Sequence, residues 1–70
     1  MDLKREIGIL IAKYRRQKGL TQERLAFLTD LHPDYIGKVE RGERSPSVES
    51  LLKIIRTLDM SYSSFFDCLD

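Results

Sequence analysis

The sequence holds one cysteine and one histidine in 70 residues. One cysteine excludes an intrachain disulfide, and one histidine beside it is too few ligands for a zinc site. No apolar run is long enough to span a bilayer, and the first residues do not read as a signal peptide. Sustained strand alternation, internal repeats and low-complexity segments are all absent. So are a nucleophile–base set, a metal cluster and a phosphate-cradling glycine loop, which argues against an enzyme, a metal or a cofactor. The expectation is one cytoplasmic, all-α domain with no membrane partner, near the lower size at which a single core suffices.

A strong charge of one sign is also missing. The formal net charge is +1, so the basic excess that marks many nucleic-acid binders is absent overall. Its distribution is more informative. Up to Arg44 there are ten Lys/Arg against seven Asp/Glu, or +3, and from Ser45 onward two against four, or −2.

What is present centres on Thr21 to Gly42, which reads as two short helices and a tight turn. Thr21 can cap the first helix, Gln22 to about Leu28, by accepting from an amide of its first turn. The second opens at His32-Pro33, since proline at the first helical position loses no bond the helix needs. It closes at Gly42, where glycine takes a left-handed cap at least cost. The linker Thr29-Asp30-Leu31 is too short for antiparallel helices, so the two cross steeply. Leu25, Ala26, Leu28, Leu31, Ile36 and Val39 can share one core, which leaves Pro33, Asp34, Gly37, Lys38 and Arg41 on the outer face of the second helix. That arrangement is a helix-turn-helix, whose outer face is the usual reader of a DNA major groove.

Before the motif, Leu3, Ile7, Leu10, Ile11 and Tyr14 recur at spacings of three and four, predicting a helix over 3–18 that Gly19 stops. Gly8 inside it costs roughly 1 kcal/mol against alanine, a sign either of close backbone contact or of simple tolerance. After the motif, Glu43 to Pro46 is a loop. Ser47 can cap a helix from Val48 to about Leu58, with Val48, Leu51, Leu52, Ile55 and Leu58 on its apolar face and Ile54 at the margin. Asp59 and Met60 interrupt, and Ser61 can cap a last helix through Phe65, Phe66 and Leu69. The reading is five helices and no sheet.

These residues resemble the Cro/lambda-repressor type of helix-turn-helix domain, the XRE family. The likeness rests on Ile7, Ile11, Arg15, Gly19 to Glu23, Leu25-Ala26, Tyr35-Ile36, Val39 to Gly42, Pro46-Ser47, Leu51 to Ile54, Ser61 and Phe65-Phe66. It spans nearly the whole chain. Within the family, LHPDYIGKVERGER (31–44) is similar to the small controller proteins of restriction–modification systems.

The resemblance implies roles by position. Gln22 matches a residue that holds a DNA phosphate, and a helix N-terminus suits that task. Pro33, Asp34 and Lys38 match positions that touch base edges. Lys38 can donate to guanine O6 or N7, Asp34 can accept from cytosine N4, and Pro33 can offer only apolar contact, for example to a thymine methyl. Asp34 has two alternatives: an acid favoured by the helix dipole, or a residue that orients Lys38 or Arg41. Arg41, Arg44 and Ser45 lie where the family's loop grips a second stretch of backbone, and His32 either caps the helix or contacts phosphate. Arg15 and Glu40 match an ion pair that fixes the reading helix rather than touching DNA.

Some apolar residues exceed the needs of one small core. Ile9 and Leu10 stand where the family often has polar residues, and Leu52, Tyr62, Phe66 and Leu69 suggest a homodimer interface through the last two helices. Family members usually bind two-fold operators as dimers. Cys68 reads as a buried or interface residue. The leading function is therefore a transcription regulator that binds duplex DNA sequence-specifically, acting through occupancy or through contact with RNA polymerase or a regulatory protein. The competing reading is a protein-interaction module of antitoxin or anti-repressor type, supported by the modest charge, Asp34 and the surplus apolar surface.

Overall fold

The computed structural model describes residues 2–69 and contains five helices: α1 (Leu3–Gln17), α2 (Gln22–Thr29), α3 (Pro33–Glu40), α4 (Val48–Thr57) and α5 (Tyr62–Asp67), with no strand among the described residues. Each begins where a side chain satisfies a first-turn amide. Asp2, Thr21, Ser47 and Ser61 accept from the amides of Arg5, Arg24, Ser50 and Ser64 at 3.0–3.2 Å. His32 does the same through Nδ1, 3.0 Å from the Asp34 amide. Each such cap contributes about 1 kcal/mol.

The first four helices end in one way. A residue one position past the end (α2) or two positions past it (α1, α3, α4) turns into the left-handed region, and paired amides reach back to the last carbonyls. The bonds are Leu20 to Arg15 and Gly19 to Arg16 for α1, and Leu31 to Ala26 and Asp30 to Phe27 for α2. For α3 they are Glu43 to Lys38 and Gly42 to Val39, and for α4 Met60 to Ile55 and Asp59 to Arg56. Glycine fills this position at Gly19 (φ 74°) and Gly42 (φ 75°), whereas Asp30 and Asp59 fill it with φ 58°. The sequence reading identified the glycine ends. The sequence pattern makes Asp30 plain linker and Asp59 an interruption, although a short polar side chain tolerates this conformation next best.

Helix α3 lies against α1 and α2, α2 also packs on α4, and α4 on α5. Ile11, Leu25, Ile36, Val39, Ile54, Ile55 and Phe65 are fully buried where these faces meet, with Ile7, Ala26, Leu51 and Leu58 around them. Four expectations fail at the margins. Leu28, expected in the core, is 46% exposed, and Val48 is 75% exposed. Ile54, placed at the margin of its helix, is wholly enclosed. Thr29, read as linker, is the buried last residue of α2, and its hydroxyl donates to the Leu25 and Ala26 carbonyls at 2.7 and 3.2 Å.

Candidate nucleic-acid interface

The turn of Asp30, Leu31 and His32 swings α3 across α2, and the sealed Ile36 and Val39 fix which side of α3 faces inward. Pro33, Asp34 and Lys38 then fall on the outward side, Asp34 and Lys38 exposed and Pro33 half-buried. Lys38 makes no ion pair among the described residues. His32 Nδ1, which caps α3, lies 3.9 Å from the Asp34 carboxylate, and both side chains are largely in solvent.

Gly37 also belongs to this side of the helix, but it is covered rather than open. Arg41 lies along it, with Nη1 2.9 Å from where a Cβ at position 37 would stand, and Gln22 Oε1 is 3.5 Å from the same point. Arg41 in turn donates from Nε to Glu43 Oε2 at 2.6 Å. The Glu43 bond, more than any other influence, raises the pKa of the guanidinium.

Behind the outward face sits a polar network. Arg15 grips Glu40 with two bonds, Nε to Oε2 at 2.7 Å and Nη2 to Oε1 at 3.0 Å, and also donates from Nη1 to the Leu20 carbonyl at 2.8 Å. Both side chains are nearly enclosed, 9% and 4% exposed. The hydrogen bonds that Arg15 donates to Glu40 raise the Arg15 pKa despite burial. Gln22 joins them, its Nε2 donating to Glu40 Oε1 at 3.0 Å. The residue expected to reach a phosphate thus has one amide hydrogen committed to the interior, and one remains.

Tyr35 links α3 to the start of α4. Its hydroxyl accepts from the Ser47 amide at 3.0 Å, and the Arg44 guanidinium lies 5.1 Å from the ring centroid. Burial pushes the Tyr35 phenol up, but hydrogen bonds from Ser50 and Ser47 and the charge of Arg44 outweigh it, leaving the pKa below its ordinary value. Arg44 is therefore pre-oriented by stacking while staying exposed, as Ser45 does beside it. Together with His32, Tyr35 and Ser47 they border an open groove between the starts of α3 and α4.

The expected dimer residues lie away from this face in the chain order. On α5, Tyr62 and Phe66 are 39% and 41% exposed while Phe65 between them is sealed in the core. Leu52 and Leu69 are half-buried. Cys68 is exposed rather than buried, with Sγ 3.3 Å from the Tyr14 hydroxyl. Phe27, which the sequence reading did not single out, is 72% exposed beneath the Arg24 guanidinium at 5.2 Å. Its position opposite Leu25 and Ala26 on an eight-residue helix was the available signal.

Comparison with known proteins agrees with this fold. A family model described as helix-turn-helix matches residues 11–65. The chain is 38% identical over 61 residues to the control protein C.SmaI of Serratia marcescens, covering 87% of this chain and 73% of that one. It superposes on the restriction-modification controller protein C.AhdI from Aeromonas hydrophila with a TM-score of 0.83 and 40% identity, covering 89% of this chain and 94% of the other. The restriction-modification controller protein C.Esp1396I, solved as a tetramer in complex with its natural 35 base-pair operator, superposes with a TM-score of 0.85 at 37% identity, over 93% of this chain and 86% of that one.

Proposed function

The chain belongs to the helix-turn-helix family of DNA-binding transcription regulators, and we propose that it reads a two-fold operator as a homodimer with α3 in the major groove. The observation that carries this reading is the two-sidedness of α3. Ile36 and Val39 are sealed inside, while Lys38 is exposed on the opposite side without an ion pair among the described residues, and Arg41 and Arg44 beyond it in the chain are exposed as well. Lys38 reads guanine edges, Asp34 accepts from cytosine, and Pro33 makes apolar contact. Arg41, Arg44, Ser45 and His32 hold phosphates, and Gln22 does so with its remaining amide hydrogen and the adjacent helix amides.

Two substitutions divide these roles. Lys38→Ala is expected to cost about 1–3 kcal/mol on a duplex selected from a random pool, and almost nothing on a random duplex. Arg44→Ala is expected to weaken both duplexes alike and to reduce the salt slope by about one. Equal losses from the two variants in both titrations would refute the division of labour.

A single reading helix gives weak binding, so a second copy is required. Tyr62 and Phe66 on α5, with Leu52 and Leu69, supply the apolar surface for it, and half-sites then lie about 34 Å apart. Support for assembly on the operator comes from C.Esp1396I, solved on its own operator as a tetramer. Sedimentation equilibrium at high micromolar concentration is expected to give twice the 8.2 kDa chain mass. A strict monomer, in solution and on DNA, rules the interface out.

A further inference from the structure

Glu43 stands just past the left-handed Gly42 at the C-terminal end of α3. A carboxylate there faces the negative end of the helix dipole and does not favour folding. Its pair with Arg41 is also exposed on both sides, 57% and 53%, so it contributes little to stability. Yet the geometry is well made. Arg41 Nε meets Glu43 Oε2 at 2.6 Å, and the guanidinium rests against the bare backbone of Gly37, where any side chain would dislodge it. The hydrogen bond from Arg41 is the main reason the Glu43 carboxyl is held below its ordinary range, and Lys38 adds its charge. An ionised acid is therefore held against Arg41, one of the two cations of the outward face.

The geometry points to Glu43 as an internal stand-in for a DNA phosphate, occupying Arg41 in the free protein and tempering the affinity of the interface. This rests on the reading of α3 as the DNA-facing helix. A carboxylate and a phosphate offer the same arginine fork the same kind of charge-assisted bond. Glu43 holds Arg41 through Nε, so closing the Nε–Nη fork on a phosphate means giving up that bond, and the carboxylate already offsets the arginine's charge; part of each contact is cancelled on binding. The displaced carboxylate also remains beside the DNA backbone and repels it. Both effects act on phosphates rather than on base edges.

The test uses Glu43→Gln, which keeps the shape and removes the charge. On a random-sequence duplex its affinity is expected to rise about tenfold near 50 mM salt, with the salt slope steeper by about one. Its melting temperature should match that of the parent, because the pair is exposed. The gain must depend on Arg41: in an Arg41→Ala background, Glu43→Gln should add less than about twofold. Unchanged affinity for Glu43→Gln, or a full gain that persists without Arg41, overturns the stand-in. Failure of the parent chain to bind any duplex in a salt-dependent way overturns instead the assignment of α3 to DNA.

Discussion

Gly8→Ala is expected to lower the stability of this chain by about 3 kcal/mol, a fall of roughly 12–24 °C in melting temperature for a domain of this size. The reason is the approach of α1 to the end of α3. A Cβ at position 8 would stand 2.2 Å from the Val39 carbonyl oxygen, 2.8 Å from that of Glu40 and 3.0 Å from the Glu40 carbonyl carbon. All three are backbone atoms, so none can rotate away, and α3 itself must retreat. Helix propensity acts in the opposite direction, favouring alanine by about 1 kcal/mol. The steric term is larger because Ile11, Ile36 and Val39 on the same two helices are fully buried and must shift together.

Gly37→Ala supplies the contrast. The nearest atom there is Arg41 Nη1, the free end of a flexible side chain. Propensity then prevails, and the variant is expected to gain about 0.5–1 kcal/mol. Thermal melts of the two variants by circular dichroism check both signs. A Gly8→Ala protein melting within a few degrees of the parent would show that α1 and α3 are not in backbone contact.

Glu40→Ala is the second large effect, expected to cost about 3–5 kcal/mol. Glu40 receives two bonds from Arg15 and one from Gln22, with only 4% of its side chain exposed. Its removal leaves the Arg15 guanidinium enclosed with the Leu20 carbonyl as its remaining partner. Arginine cannot shed its proton to escape that cost. Arg15→Ala is expected to be milder, because the carboxylate left behind keeps Gln22 as a donor. Since domains of this size hold only about 5 kcal/mol in total, Glu40→Ala should be partly unfolded at 37 °C. Its DNA affinity should fall with its melting temperature, because Glu40 ends α3 and sets how that helix stands on α1. Were melting unchanged and DNA binding alone reduced, Glu40 would be a contact residue and not a clamp.

Local chemistry made much of the architecture legible in advance. Thr21, Ser47 and Ser61 marked helix starts because each bond spans only three residues. Gly19 and Gly42 marked ends because their left-handed backbone is a property of the residue itself. The i, i+3, i+4 recurrence of Ile7 and Ile11 identified the inner side of α1 without knowledge of what lies opposite. Edge positions resisted the same treatment. Leu28 and Val48 both adjoin apolar stripes, and whether they are covered depends on where a neighbouring helix passes, which no spacing within one helix encodes.

By itself, then, the sequence determined the number and kind of elements, most of their limits, the core positions at the centre of each stripe and the likeness to helix-turn-helix proteins. Those features arise from interactions between residues three or four apart, or from the conformational range of single residues. The tertiary structure alone decided between the two readings of Gly8, drew Gln22 into the bonds of Glu40 from 18 residues away and laid Arg41 across Gly37 toward Glu43. These features depend on distances between separate helices, or on which rotamer a long side chain adopts above them. Such distances are set by the packing of the whole core and not by any stretch of chain read alone.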